Sequence, residues 1–153
     1  MAEFTPQDPN YQTRVKASFQ RQRFMETLGA TLERLEPGVC EIHLAYRPEL
    51  SQQHGYFHGG LVGTLADNAS GYASYTLMGA NDSVLTVEYK ISLVAPGEGE
   101  RLVAVGTVVR PGRTLTTARA DVFAENRGVR TLCATALATL FTLAGQPDGP
   151  RQS

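Results

Sequence analysis

One long helical segment occupies the middle of the chain, and almost everything after it has the pattern of β-strands. Residues 59–78 contain no proline and are long enough for about five helical turns. Beyond the turn residues 79–83, apolar and polar side chains alternate, which is the period of a strand. A single long helix followed by several consecutive strands predicts an antiparallel sheet with the helix on one face, because parallel sheets need a crossover between strands.

The strand patterns are separated by short segments rich in Pro, Gly and Asn. In residues 84–93, the alternation places Leu85, Val87, Tyr89, Ile91 and Leu93 on one face and Thr86, Glu88, Lys90 and Ser92 on the other. An amphipathic helix is predicted near the N-terminus, where apolar residues recur at helical spacing. The predicted elements are this helix at 11–28, a strand at 39–46, the long helix, and strands at 84–93, 101–110, 114–124 and 129–143.

This order of elements predicts an α+β fold in which an antiparallel sheet wraps one long central helix, with a second helix at the N-terminus. Glycine and alanine are frequent in the central helix and in the last predicted strand, as close approach of helix and sheet requires. The hotdog fold has this arrangement. The periodicity alone leaves several α+β folds open.

Length and composition indicate one domain. With 153 residues, 42% of them hydrophobic, the chain forms one core, which we place at residues 10–144, with flexible tails at 1–9 and 145–153.

The 14 basic and 15 acidic residues argue against a nucleic-acid partner and favour a neutral or small anionic ligand. Two distant cysteines, Cys40 and Cys133, and the lack of a long apolar run predict a cytoplasmic protein that does not cross a membrane.

Asp67 is the one charged residue in the central helix. A helical wheel places it opposite Leu61, Leu65 and Tyr72, on a face of small residues. A solvated face normally carries Glu, Lys and Arg, so this face is suited to close approach by a ligand. The pattern alone leaves three roles open for Asp67: a surface residue, a buried hydrogen-bond acceptor or a catalytic group.

The sequence His58-Gly59-Gly60 stands where the central helix begins. The first N–H groups of a helix have no partner within the helix, and glycine lets a ligand approach them closely. These groups therefore suit an oxyanion such as the one formed during thioester hydrolysis. The alternative is a glycine turn that merely changes the direction of the chain.

Gly59 and Asp67 are separated by about 12 Å along one helix, at a rise of about 1.5 Å per residue. One carbonyl group cannot contact both. If both act on the same substrate, one must come from a neighbouring subunit, with two central helices antiparallel and side by side.

The run Gln52-x-x-Gly55-x-x-His58-Gly59-Gly60-Leu61-x-x-x-Leu65-x-Asp67 resembles the signature of the PaaI-like hotdog thioesterases. The resemblance extends from about Phe24 to Leu143. It includes the strand that contains Thr86, the turn Val94-Ala95-Pro96-Gly97 and the turn Arg110-x-Gly112-Arg113-Thr114.

This resemblance implies an acyl-CoA thioesterase that needs no cofactor and no metal. It also implies a homodimer joined edge to edge through its sheets, usually paired into a homotetramer, with the site at the dimer interface. Asp67 would be the general base or nucleophile, the Gly59 N–H would polarise the thioester carbonyl, and His58 would help to fix the loop. Thr86 would position the attacking water. Gln52, which stands where many relatives carry Asn, would orient the carbonyl or the water. The residues implied to contact substrate or CoA are Gly60, Asn68, Arg110, Arg113 and Thr114.

Two other functions remain as alternatives. A non-catalytic acyl-CoA-binding protein would keep the fold and the groove, although the presence of Asp67 argues against it. An enoyl-CoA hydratase would need an Asp and a His together in one loop, and the sequence has no such pair. Metal catalysis is disfavoured because His54 and His58 flank Gly55 in a loop and lack a third ligand. The acyl group remains open among aryl-acetyl, medium-chain and long-chain classes.

Overall fold

The computed structural model describes residues 4–150. The helices are α1 (Tyr11–Arg21), α2 (Arg23–Leu28) and α3 (Gly59–Tyr75), with a short 3-10 helix at Pro48–Leu50. The strands are β1 (Thr31–Glu36), β2 (Val39–Ala45), β3 (Ser83–Leu93), β4 (Arg101–Arg110), β5 (Leu115–Asn126) and β6 (Val129–Leu143).

The six strands form one antiparallel sheet in the order β1-β2-β4-β5-β6-β3. Helix α3 packs across one face of this sheet, chiefly on β4 and β5, and its apolar side chains form the core with α1 and the strands. The predicted α+β fold with a long helix wrapped by an antiparallel sheet is confirmed. No helix within residues 4–150 has both the length and the apolar character needed to cross a membrane.

The helix and the sheet come closest where Gly106 of β4 faces Ala69 of α3. A Cβ added to Gly106 would lie 2.1 Å from the Ala69 carbonyl oxygen, closer than any side chain permits. Alanines cover the neighbouring positions on the same sheet face, where Ala118 pairs with Ala138 and Ala120 pairs with Ala136. Small residues therefore allow α3 to lie directly on the sheet.

Two elements differ from the sequence prediction. The single helix expected at 11–28 is divided at Gln22, which has an extended backbone, with ψ of 97°. Strand β1 was not predicted. It forms the outer edge of the sheet beside β2, with an irregularity between Leu32 and Arg34.

Both predicted tails contain residues that contact the domain. Asp8 is buried and pairs with Arg14 at 2.8 Å, and this hydrogen bond holds the pKa of the Asp8 carboxyl below its usual value. Asp148 pairs with Arg21 at 2.6 Å. The flexibility and the boundaries of the tails remain predictions.

Candidate active site

Asp67 lies in the middle of α3, on the face turned away from the core, where its carboxylate is partly exposed. The hydroxyl of Thr86 on β3 donates a hydrogen bond to Asp67 Oδ1 at 2.6 Å. This bond holds one carboxylate oxygen. The second oxygen has no protein partner within residues 4–150, so it is free to accept a proton.

A β-bulge in β3 brings Thr86 to Asp67. Thr86 pairs with Leu140 of β6 and Glu88 pairs with Thr139, so Val87 is an extra residue between them. Thr86 therefore lies on the same face as Tyr89, towards α3, while Leu85 lies on the opposite face beside Phe141. The prediction that Leu85 shares a face with Tyr89, and Thr86 with Glu88, was wrong, because strict alternation has no place for the extra residue.

Asp67, Asn68 and Thr86 line a cleft of about 790 Å³ between α3, β3 and the N-terminal helices. The Asn68 amide donates to the Thr64 carbonyl at 3.1 Å, but its buried Oδ1 has no partner within residues 4–150. A buried acceptor of this kind normally has a partner, so the Asn68 Oδ1 can accept a hydrogen bond from a ligand next to Asp67.

The cleft has polar side chains that the sequence analysis did not single out. Gln22, at the break between α1 and α2, donates to the Tyr72 hydroxyl at 2.7 Å, and Ser18 lies 3.3 Å from the same oxygen. Burial raises the pKa of Tyr72, so the phenol stays protonated at neutral pH. The helix break at Gln22 is stabilised by a hydroxyl that is distant in sequence, so periodicity does not predict it.

One backbone N–H at the N-terminus of α3 has no acceptor within residues 4–150. His58 is the N-cap residue, and its Nδ1 accepts a hydrogen bond from the Gly60 N–H at 2.9 Å. The His58 N–H donates to the Leu50 carbonyl at 3.0 Å. The Gly59 N–H between them has no acceptor within the described part of the chain. It is therefore available to a ligand.

Gln52 and Gly59 line a different cleft, of about 490 Å³, together with Leu93 and Gly97. The Gln52 side-chain oxygen accepts a hydrogen bond from the His54 N–H, and its NH2 group makes no hydrogen bond within residues 4–150. Within one chain, Gln52 and Gly59 thus lie apart from Asp67 and Thr86. The structure places Asp67 beside Thr86 in one cleft, and Gln52 and Gly59 in another.

Three of the candidate substrate- and CoA-binding residues, Arg110, Arg113 and Thr114, are exposed at the β4–β5 turn. Arg110 ends β4, and the Thr114 carbonyl accepts a hydrogen bond from the Thr142 N–H at 2.8 Å. Neither Arg110 nor Arg113 forms an ion pair within residues 4–150, and no residue of this turn lines either cleft. Strand register places the turn near the beginning of β3, since Leu115 and Leu85 both pair with Phe141.

Comparison with known proteins gives the family. Residues 54–131 match the thioesterase superfamily. Human acyl-coenzyme A thioesterase 13 is 32% identical over 111 residues, which cover 71% of this chain and 78% of that protein. Among three further curated relatives, the chain spans between 57% and 81% of their own length.

Solved structures agree with this result. A thioesterase family protein from Silicibacter pomeroyi is 46% identical, with a TM-score of 0.85 over 87% of this chain and 98% of that one. The E. coli PaaI protein, from the phenylacetic acid degradation operon, is 17% identical and shares the fold, with a TM-score of 0.79 over 92% of this chain and 99% of that one. The chain therefore belongs to the thioesterase superfamily, and it has the hotdog fold that the resemblance to PaaI-like enzymes implied.

Proposed function

We propose that this thioesterase hydrolyses an acyl-CoA to a free acid and CoA, with Asp67 as the catalytic carboxylate. The observation that carries the proposal is the hydrogen bond from Thr86 to Asp67, because it orients one oxygen of a carboxylate that lines a cleft and leaves the other oxygen without a partner within residues 4–150. The human relative that is named as an acyl-coenzyme A thioesterase supports the substrate class.

In the proposed reaction, Asp67 acts as a general base. It takes a proton from a water molecule while the water oxygen attacks the thioester carbonyl carbon. The carbonyl oxygen becomes an oxyanion, which accepts a hydrogen bond from the Gly59 N–H at the start of α3. The carbon–sulfur bond then breaks, CoA leaves as a thiolate, and the proton held by Asp67 returns to the sulfur.

An alternative role for Asp67 is direct attack on the carbonyl to form an anhydride. Label found in Asp67 after a single turnover in ¹⁸O-labelled water would identify the anhydride route. A general base leaves the Asp67 carboxylate unlabelled, whereas hydrolysis of an anhydride at its aspartyl carbonyl places the label in Asp67.

The two halves of the site come from two subunits in this proposal. Asp67 and Thr86 line one cleft of the chain, and Gly59 and Gln52 line another. In an antiparallel pair of α3 helices, Asp67 of one subunit faces Gly59 of the partner subunit. The Gln52 NH2 group, which makes no hydrogen bond within residues 4–150, then orients the carbonyl or the water.

The substrate is held by residues around both clefts. The Asn68 Oδ1, which has no partner within residues 4–150, accepts a hydrogen bond from the substrate or a bound water. Arg110 and Arg113, which form no ion pairs in that part of the chain, meet the CoA phosphates, and Gly60 and Thr114 line the path of the CoA.

We also propose that dimers pair into a homotetramer in the cytoplasm. The sheet face turned away from α3 supports this assembly, because it exposes large apolar side chains. These include Leu115, Leu137 and Phe141, which are 52%, 54% and 37% exposed in the single chain.

Thiol release from aryl-acetyl, medium-chain and long-chain CoA esters tests the proposal. We expect at least one ester to be hydrolysed, and Asp67→Asn, which keeps the shape but removes the base, to lose at least about a hundredfold in kcat. Equal rates for wild type and Asp67→Asn would contradict the catalytic role. Tight acyl-CoA binding in calorimetry without any turnover would instead indicate a binding protein.

A further inference from the structure

Residues 145–150, the C-terminal segment, cross the cleft of about 790 Å³, and the last three of them form part of its wall. On the β3 side of the cleft, the Gly145 N–H donates to Asp82 Oδ1 at 3.0 Å, just before β3 begins. On the α1 side, Arg21 donates to the Asp148 carboxylate at 2.6 Å and to the Asp148 carbonyl at 3.0 Å. The segment is therefore fixed on both sides of the cleft.

The cleft runs along α3 from Asp67 to Tyr72, and both of these residues line it. They are five residues apart, which is about 7.5 Å at a rise of about 1.5 Å per residue. Burial raises the pKa of Tyr72, and the negative charge of the Asp148 carboxylate nearby raises it further. Asp148 therefore lies at the Tyr72 end of the cleft, opposite the end that contains Asp67.

The charges around the cleft favour the acyl group over the phosphates of CoA. Two basic residues, Arg21 and Arg23, line it, together with three acidic residues, Glu26, Asp67 and Asp148. An acidic excess of this kind repels a polyphosphate. In the proposed reaction the thioester carbonyl lies at Asp67, so the acyl group extends from there along α3 towards the far end of the cleft.

We propose that the C-terminal segment is the end wall of an acyl-binding cleft, and that the ion pair between Arg21 and Asp148 limits the length of the acyl group. An extended acyl chain advances by somewhat less than one C–C bond of about 1.5 Å per carbon, so about 7.5 Å takes about six carbons. A longer chain has to displace the segment and break the ion pair. The inference rests on the proposed acyl-CoA hydrolysis and assigns that reaction to aryl-acetyl groups and to chains of about this length.

The ion pair is suited to a wall that penalises long chains without excluding them. The side chains of Arg21 and Asp148 are 51% and 33% exposed, and ion pairs in contact with water are weak. A Cβ added to Gly149 would have no atom of the rest of the fold within 4 Å, so the segment is loosely packed at this position. Displacing the segment therefore breaks few contacts besides the ion pair.

Charge exchange across the ion pair tests this inference. The measurement is kcat/KM for hexadecanoyl-CoA divided by kcat/KM for hexanoyl-CoA. We expect Arg21→Glu and Asp148→Arg each to raise this ratio about three- to tenfold, because each replaces attraction with repulsion and releases the segment. The double variant Arg21→Glu/Asp148→Arg restores opposite charges and should return the ratio towards the wild-type value.

Glu36→Arg is the matched control. It reverses the acidic member of another exposed ion pair, Arg34–Glu36 at 3.6 Å in β1, and neither residue lines either cleft. This variant should leave the ratio unchanged. Single variants at Arg21 and Asp148 with the wild-type ratio, or a double variant that keeps the raised ratio, would overturn the inference. So would an equal change in kcat/KM for both esters, because that indicates a general effect on the fold.

Failure of this inference differs from failure of the proposed function. Hydrolysis by wild type, with the same ratio in the single variants, overturns the inference alone. If wild type hydrolyses no ester, the proposed function is contradicted, and calorimetry with the same two esters then tests the end wall by itself. Asp148→Arg should strengthen the binding of hexadecanoyl-CoA about three- to tenfold more than that of hexanoyl-CoA. An equal effect on the two affinities would overturn the end wall.

Discussion

The hydroxyl of Thr86 donates to the carboxylate of Asp67 across 2.6 Å, and this bond connects the exposed edge strand β3 to the centre of helix α3. Asp67 makes no other side-chain hydrogen bond within residues 4–150. The orientation of the Asp67 carboxylate therefore depends on a strand that lies at the edge of the sheet.

Replacing Thr86 with valine keeps the shape of the side chain but removes its O–H donor. We expect Thr86→Val to lower kcat by about ten- to a hundredfold, because a hydrogen bond to a charged group contributes about 1.5–3 kcal/mol. Thr86→Ser keeps the hydroxyl and should recover most of the loss. Steady-state thiol release measures both, and equal losses in the two variants would indicate that the hydroxyl is not what matters.

Gly59→Pro removes one N–H at a position where a helix accepts proline. Gly59 is the first residue of α3, and His58 before it has an extended backbone, with φ of −61° and ψ of 134°, as a residue before proline requires. We expect kcat to fall by about a hundredfold if this N–H stabilises the oxyanion.

Gly59→Ala is the matched control for this experiment. It adds a Cβ near Leu93, which lies 3.0 Å from the position of that atom, but it keeps the N–H. The comparison of Gly59→Pro with Gly59→Ala isolates the hydrogen bond from the steric effect. Similar kcat values for the two variants would contradict the oxyanion role.

Gly106→Ala should destabilise the fold. The added Cβ would lie 2.1 Å from the Ala69 carbonyl oxygen, and neither backbone can move without separating helix from sheet. We expect a loss of about 1–3 kcal/mol in the free energy of unfolding, measured with urea. Gly71 lies in α3, and a Cβ added there would have no atom of the rest of the fold within 4 Å. Gly71→Ala should therefore be neutral or stabilising. Equal stability of the two variants would contradict the close helix–sheet contact.

Glu125 makes the stability of the fold sensitive to acid. Hydrogen bonds from Arg130 and Arg101 hold the pKa of the Glu125 carboxyl below its ordinary value. Its stabilising effect is therefore fully present above the unfolded-state pKa of about 4.3 and is lost as pH falls through the lower folded-state pKa.

Urea unfolding at neutral pH and at about pH 3 tests this sign. Glu125→Gln should be less stable than wild type at neutral pH and should lose less stability on acidification. A variant whose stability falls with pH as steeply as that of wild type would show that Glu125 does not contribute.

Much of the fold could be predicted from the spacing of apolar residues along the sequence. The strands predicted at 101–110 and 129–143 have the observed bounds, since every second residue over much of each strand is buried. Strand β1 was missed because Leu32 and Leu35 are three residues apart, which does not fit the two-residue period of a strand. The irregularity after Leu32 puts both leucines on the same face, opposite Ile42 and Cys40. The break in the N-terminal helix was missed because Gln22 is held by Tyr72, which is distant in sequence.

The candidate site was predictable in part. The small residues around Asp67 marked its face of α3, and the glycines after His58 marked the beginning of the helix. The contact between Thr86 and Asp67 did not follow from alternation, because one extra residue at Val87 reverses the face on which Thr86 lies. Only the family resemblance pointed to Thr86.

Complementation between two inactive variants tests the central claim, a site shared by two subunits, most directly. Asp67→Asn and Gly59→Pro are each expected to lose about a hundredfold in kcat. If they are unfolded together and refolded as a mixture, half of the dimers are hybrids with one intact site of two. Thiol release should then recover to about a quarter of the wild-type rate. A mixture that stays as inactive as its two components, although hybrid dimers are shown to form, would contradict the shared site.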